Sequence, residues 1–274
     1  MSCYGMVSCR NETAWITDTL DSWGEVCDGG IWVYCDASTD ATPALVRSHP
    51  AVRECIDSNL YWVDNRAEME PYKRQLLFNS VTRFCELNDW VVGFDADEHL
   101  DLESWNPVVL HDLGVAAISP VSWDMYITEE DEGEEWVPGR GIQYLHRQWC
   151  SSDGPGVRCF PFFLRWDPRF QWTRPNQHFP DWDKARGIEL VHGHVKHWSK
   201  GHSAEVYDRK ARYYQSEWEK DPDKMLPGME PKACAGEAVR RETPYVDDSG
   251  YPLVKWEDRH GLGGPSHRDG HRGQ

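Results

Sequence analysis

Asp95 and Asp97 stand two residues apart, directly after the apolar run Trp90-Val91-Val92-Gly93-Phe94. In extended backbone, side chains at i and i+2 point the same way, so two carboxylates would leave one strand end on one side. Such hard oxygen donors suit Mg²⁺ or Mn²⁺, with phosphate oxygens and water completing the shell. An ion held there can neutralise a diphosphate leaving group as a Lewis acid. The same pair could instead be turn or helix-capping acids. The surroundings of the pair separate the two readings.

Other polar clusters also follow apolar runs. Arg10-Asn11-Glu12 comes after a strand-like stretch at residues 4–8. Asp36-Ala37-Ser38-Thr39-Asp40 comes after Ile31-Trp32-Val33-Tyr34-Cys35, and Asp64-Asn65-Arg66 after Leu60-Tyr61-Trp62-Val63. Helical patterns fall between these runs, at residues 11–23, 42–48 and 69–87, the last being the longest. Strands alternating with helices predict an α/β fold with a mainly parallel central sheet flanked by helices. Ligands of such sheets bind outside the carboxyl ends of the strands. The four polar clusters would therefore collect on one rim, which favours a binding site over isolated turns.

The second half has a different texture. Residues 115–126 and 157–166 read as longer strands, separated by an acidic loop with six acids among residues 129–135. Residues 187–197 form a further strand candidate ending in His192-Gly193-His194-Val195-Lys196-His197. Neutral imidazole is a common metal ligand, so His194 and His197 join the candidate donors. A helix with a charged face is expected over 199–218. Past residue 220 the chain turns to Pro, Gly, Asp and Arg, and residues 261–274 are expected to be disordered.

Composition narrows the classes. A net charge of −17 opposes loose attachment to nucleic acid or anionic membrane. The nine cysteines are scattered without a C-x-x-C pair, which fits neither a zinc framework nor a disulfide scaffold. No apolar run approaches the roughly 18–20 residues needed to span a bilayer, and the first residues lack the form of a signal peptide. A cytoplasmic protein with no membrane span is the expectation.

The motifs also carry a resemblance. Val7-Ser8-Cys9-Arg10-Asn11-Glu12 looks like the opening strand and Asn-Glu turn of family 2 glycosyltransferases. Cys35-Asp36-Ala37-Ser38-Thr39-Asp40-Ala41-Thr42 resembles that family's Asp-Gly-Ser-Thr-Asp-Gly-Thr segment, and residues 90–98 resemble its strand ending in Asp-Ala-Asp-Glu. Order and spacing are similar to those of the GT-A fold over residues 4–100, less so to about 215, and not in the tail. The resemblance implies a GT-A-like domain over residues 1–220, with a nucleotide-binding half (1–100), an acceptor half (101–220) and a C-terminal extension (221–274). It implies a nucleotide-sugar donor, UDP-linked first, and Mn²⁺ or Mg²⁺ as cofactor.

Carried over residue by residue, Ser8, Asn11, Glu12 and Ala96 would belong to the nucleotide-sugar site. Asp36 would contact the nucleoside, at uracil or ribose. Asp95 would lie near the ribose or a metal-bound water, and Asp97 would bind the metal directly. Lys73 or Arg74 would supply the basic residue near base or diphosphate. His197 best resembles the late histidine that completes the metal site, with His194 second. Alanine at 37 and 41, in place of the usual glycines, fits if the backbone there is not left-handed.

Inverting transfer needs a base for the acceptor hydroxyl. Asp181, then Asp183, then His178 stand where the family often carries its base, although the motif departs from the common pattern. For the acceptor, residues 139–174 hold six Arg (140, 147, 158, 165, 169, 174) against Asp153 and Asp167, a local +4, with interleaved aromatics from Tyr144 to Trp172. Arg and aromatic side chains together bind phosphates and stack on bases, and flat rings also pack on sugar faces. The same alternation can simply mark the outer and inner faces of strands. A saccharide or another hydroxyl compound is the first acceptor. A hydroxylated base in DNA, as in viral DNA modification, is an alternative that would require base access outside the stack.

Among rival classes, a sugar nucleotidyltransferase would carry a Gly-rich loop where Arg10-Asn11-Glu12 stands. A hydrolase would need G-x-S-x-G, and a dinucleotide dehydrogenase G-x-G-x-x-G after the first strand. A non-catalytic nucleotide- or sugar-binding module stays open as the alternative from another class.

Overall fold

The computed structural model describes residues 1–58, 66–126, 144–147, 158–159, 162–170, 188–200 and 254–255. In chain order the elements are β1 (Cys3–Cys9), α1 (Ile16–Gly24), β2 (Gly30–Asp36), α2 (Thr42–Ser48), β3 (Val52–Ser58), α3 (Arg66–Thr82), β4 (Trp90–Asp95) and β5 (Glu98–Asp101). A 3₁₀ turn at Pro107–His111 precedes β6 (Val115–Tyr126), β7 (Tyr144–Arg147), β8 (Arg158–Cys159), β9 (Phe163–Arg165), β10 (Ile188–Lys200) and β11 (Val254–Lys255).

The chain divides into two compact units, and the first comprises Met1–Val121 with Cys159–His197. Its centre is an α/β sheet in the order β9-β4-β1-β2-β3. The pairs β1–β2, β2–β3 and β1–β4 are parallel, and β9 lies antiparallel on β4. The chain moves outward from β1 to β3, then returns through α3 to place β4 on the other side of β1. That reversal is a topological switch point, where open α/β sheets bind ligands. In the second unit, β7 pairs antiparallel with the end of β6 and with β11.

Both faces of the parallel core are covered, which explains why β1, β2 and β4 read as near-continuous apolar runs. On one face, Val7, Ile31, Val33 and Phe94 pack against Ile16, Leu20 and Trp23 of α1 and Val46 of α2. On the other, Met6, Trp32, Tyr34 and Val91 pack against Leu77, Phe78 and Val81 of α3. Each such large apolar side chain, fully buried, contributes about 1.5–3 kcal/mol. Ile16, Leu20 and Trp23 follow the i, i+4, i+7 spacing that defines the buried stripe of α1.

The structure corrects several sequence expectations. The third strand is Val52–Ser58 rather than 60–63, which lie outside the described residues. β3 is an edge strand carrying exposed Arg53, Glu54 and Asp57, so it has no apolar run to betray it. The stretch 157–166 is not one long strand but contains two short ones, β8 and β9. A helix does not begin at Ser199, because β10 continues through Lys200; residues 201–218 lie outside the described set. Ala37 has φ 46° and is left-handed, so the condition for alanine replacing glycine fails there, while Ala41 at φ −76° satisfies it. Among the described residues, no helix is long and apolar enough to cross a membrane.

Candidate functional site

The strand ends at the switch point bring most of the sequence-predicted residues to one rim. Register places Ser8 of β1 between Tyr34 of β2 and Asp95 of β4. Asp36 is the last residue of β2 and Asp95 the last of β4. Two consecutive basic residues of α3 serve these two strand ends. Lys73 forms a buried ion pair with Asp36, and Arg74 Nη2 lies 3.3 Å from Asp95 Oδ1. Lys73 and Arg74 thus divide between the two acids rather than competing for one role.

The loops after β1 and β2 interlock. Asn11, at φ 55°, accepts a hydrogen bond from the Thr39 amide at 2.8 Å, and its own amide donates to Ser38 Oγ. The Glu12 amide donates to Thr42 Oγ1 at 2.9 Å. Asp40 accepts from the Thr13 hydroxyl and the Thr42 amide. Burial works to raise the Asp40 carboxyl, but these hydrogen bonds outweigh it and hold the group below its ordinary range. Asn11 therefore fixes the mouth of the rim through both side chain and backbone, and Glu12 through its backbone amide.

Asp97 is buried, and its Oδ1 lies 3.7 Å from Nε2 of His197. The two meet because β5 pairs antiparallel with β10 in a register that sets His197 opposite Glu98. Four residues back on β10, Gly193 adopts φ +75° against the Trp105 ring, where a Cβ would meet Trp105 at 2.9 Å. His194 faces a different acid: its Nδ1 lies 3.9 Å from Asp101 Oδ2, and register sets the two opposite each other. Asp97 and His197 are therefore together, while His194 belongs to the Asp101 end of the ladder. His99, on the intervening strand, is pushed down to about 4 by burial, which keeps its imidazole neutral.

The chemistry of this donor set fits a divalent ion. Adjacent ligand atoms about 2.1 Å from a common octahedral ion are about 3.0 Å apart, so Asp97 and His197, 3.7 Å apart, would draw together by several tenths of an ångström on binding one. Among the described residues, no group of three or more His, Cys, Asp or Glu side chains forms a complete cage. Remaining positions would fall to phosphate oxygens and water, the usual case for Mg²⁺.

Residues missed by sequence reasoning lie under the acidic turn. Thr19 Oγ1 of α1 donates to the Ala96 carbonyl at 2.6 Å, and Trp23 Nε1 donates to the Glu98 carbonyl at 2.7 Å. The Asp95 amide donates to Glu98 Oε2 at 2.8 Å. One signal was legible: Thr19 is a polar residue inside the apolar stripe Ile16, Leu20, Trp23, and it is fully buried.

The Arg- and aromatic-rich segment is partly interior. Arg165 is buried, stacks 4.3 Å over the Trp90 ring, and donates to the carbonyls of Val115 (2.7 Å), Asp112 (2.6 Å) and Asn88 (3.2 Å). Phe162 and Phe163 are in the core, and Trp166 packs edge-on against Phe78. Strand alternation would have set the arginines on the outer face, but all three residues of β9, Arg165 included, are buried. Asp181, Asp183 and His178 lie outside the described residues.

No protein-family profile matches this sequence, and no curated protein matches it. Among solved structures, it is similar to glucosyl-3-phosphoglycerate synthase from Mycobacterium tuberculosis in complex with Mn²⁺, UDP and glucosyl-3-phosphoglycerate, at 19% identity, 44% of each chain and a TM-score of 0.31. It is also similar to S. aureus TarS 1–349, at 12% identity, 78% of this chain, 65% of that chain and a TM-score of 0.38. The same S. aureus protein in complex with UDP matches at 17% identity over 52% of this chain and 38% of that one, with a TM-score of 0.31. The chain thus spans less than half the length of the mycobacterial synthase and under two thirds of the staphylococcal one.

Proposed function

We propose that this protein is a GT-A-like, metal-dependent glycosyltransferase that moves a sugar from a nucleoside-diphosphate sugar, UDP-linked first, to an acceptor hydroxyl with inversion. The observation that carries the reading is the buried Asp97 carboxylate facing His197 at 3.7 Å beside a switch-point rim.

Asp97 and His197 would hold Mn²⁺ or Mg²⁺; His194, the second-choice imidazole of the sequence, faces Asp101 instead and is not assigned to the ion. The bound ion would supply Lewis-acid charge to the departing diphosphate. Asp36, paired with Lys73, would accept a hydrogen bond from the nucleoside at uracil or ribose. Asp95 would sit beside the ribose or an ion-bound water, oriented by Arg74. Ser8, Asn11, Glu12 and Ala96 would shape the donor pocket through the interlocked loops. Asp181, Asp183 or His178 would take the acceptor proton. The donor half is assigned to residues 1–100 and the acceptor half to 101–220, with a saccharide or other hydroxyl compound as acceptor. A DNA acceptor is not favoured, since Arg165, one of the six arginines that suggested a basic surface, is buried.

The test is nucleotide release from a panel of UDP- and GDP-sugars with Mn²⁺, Mg²⁺ or EDTA. Metal-dependent release from one donor supports the proposal. No release from any donor, together with no thermal shift by nucleotide plus metal, would contradict it and favour a binding module.

A further inference from the structure

Three side chains on one face of α1 hold successive alternate positions of the acidic turn and the strand that follows it. Thr19 Oγ1 donates to the Ala96 carbonyl at 2.6 Å, Trp23 Nε1 donates to the Glu98 carbonyl at 2.7 Å, and Ser22 Oγ accepts from the Leu100 amide at 3.3 Å. The carbonyls on either side of Asp97 are thus both tied to α1. Trp23 also lies flat on Phe94, the residue before Asp95, with ring centroids 4.5 Å apart and planes 7° apart. From inside the turn, the Glu98 carboxylate accepts the Asp95 amide at 2.8 Å. The opposite edge of β5 is fixed by β10, the strand that carries His197.

We infer that Thr19, Trp23 and Glu98 are positioning residues that set the direction of the Asp97 carboxylate toward His197. The role rests on the metal reading of those two residues proposed above. The physical case is that an ion takes its ligands within a few tenths of an ångström, and a short turn has two soft dihedrals per residue unless its carbonyls are tied. Outer partners that fix a ligand's orientation are worth about 10–100-fold in metal affinity. Thr19 is suited to the task because its hydroxyl is fully buried and its bond to Ala96 spans 77 positions of sequence. Glu98 is suited because its carboxylate reaches back to the amide where the turn begins.

The experiment compares wild type with Thr19→Val, which keeps shape and removes the donor, and Thr19→Ser, which restores it. Mn²⁺ affinity is measured in the presence of UDP by electron paramagnetic resonance, and hydrogen exchange of the amides of residues 95–98 is measured in metal-free protein. Thr19→Val is expected to bind Mn²⁺ about tenfold more weakly and to exchange faster across the turn, with Thr19→Ser within about twofold of wild type. Glu98→Gln, which keeps an acceptor for the Asp95 amide, against Glu98→Ala, which does not, repeats the comparison should Thr19→Val fail to fold. Thr19→Val or Glu98→Ala matching wild type in both affinity and exchange overturns the positioning role. Wild type that binds no Mn²⁺ with UDP overturns the metal reading on which the role rests; a clamp-only failure leaves wild-type binding intact, so the two are told apart.

Discussion

The Asp97 carboxylate lies 3.7 Å from the imidazole of His197, although 100 residues separate them in the chain. A four-residue strand, β5, makes the encounter possible by running antiparallel to β10 immediately after the acidic turn. The energetics of the surrounding rim lead to measurable outcomes.

Lys73 and Asp36 form an ion pair with both side chains withdrawn from water. Replacing Lys73 by Met takes the ammonium from Asp36 and leaves a buried carboxylate behind, a change that costs about 3–5 kcal/mol. Adding Asp36→Asn to Lys73→Met should recover most of that loss while leaving nucleotide affinity impaired. Urea denaturation of the single and double variants checks this. A single variant within about 1 kcal/mol of wild type would mean the pair contributes no more than an exposed one.

Arg165 serves the interior. Its guanidinium spans the carbonyls of Val115, Asp112 and Asn88 and lies over Trp90. Lysine cannot reproduce a planar fork, so Arg165→Lys should lose about 2–3 kcal/mol of stability, while the folded variant keeps wild-type affinity for its donor. Denaturation midpoints alongside nucleotide binding would show this; loss of binding without loss of stability would return Arg165 to the ligand surface.

Ala37 occupies the left-handed region at φ 46°, directly after Asp36. An L-residue with a Cβ pays about 1–2 kcal/mol there, partly offset by the greater flexibility of glycine in the unfolded chain. Ala37→Gly should therefore raise stability by up to about 1 kcal/mol, read as an increase in the thermal midpoint. A fall in the midpoint would mean that the alanine methyl makes a contact worth more than the strain.

His192 accepts the Asn106 amide on Nε2 at 2.9 Å, and burial pushes its pKa down from the ordinary value. A folded-state pKa below the unfolded one means that the unfolded chain binds the proton first. The contribution is therefore complete above the ordinary histidine value of about 6.5 and is lost as pH falls below it. His192→Gln keeps an acceptor and does not titrate. Wild type should lose more stability than this variant between pH 7.5 and 5.5, as followed by urea midpoints; equal losses would show that His192 contributes nothing to the pH dependence.

Much of the donor rim was legible because its signals are local. β1, β2 and β4 are apolar runs buried on both faces, each ending in a polar cluster, and the reversal around β1 brings those ends together. What escaped depends on distant partners. β3 and β5 are rich in charge, and neither carries a continuous apolar run. Thr19 gains its meaning from Ala96, and Arg165 from carbonyls 50 or more residues away. The arginine pattern between 139 and 174 suggested a surface, whereas Arg165 shows that an arginine beside Phe163 can face inward when enough carbonyls wait there.

The most direct test of the central claim is UDP release from UDP-sugars with Mn²⁺, wild type against Asp97→Ala, with the fold checked by circular dichroism. Wild type should release UDP only with Mn²⁺ and not in EDTA, and the folded variant should lose about 100-fold or more of that release. Release by Asp97→Ala at the wild-type rate, or release by wild type that EDTA does not touch, would contradict that claim.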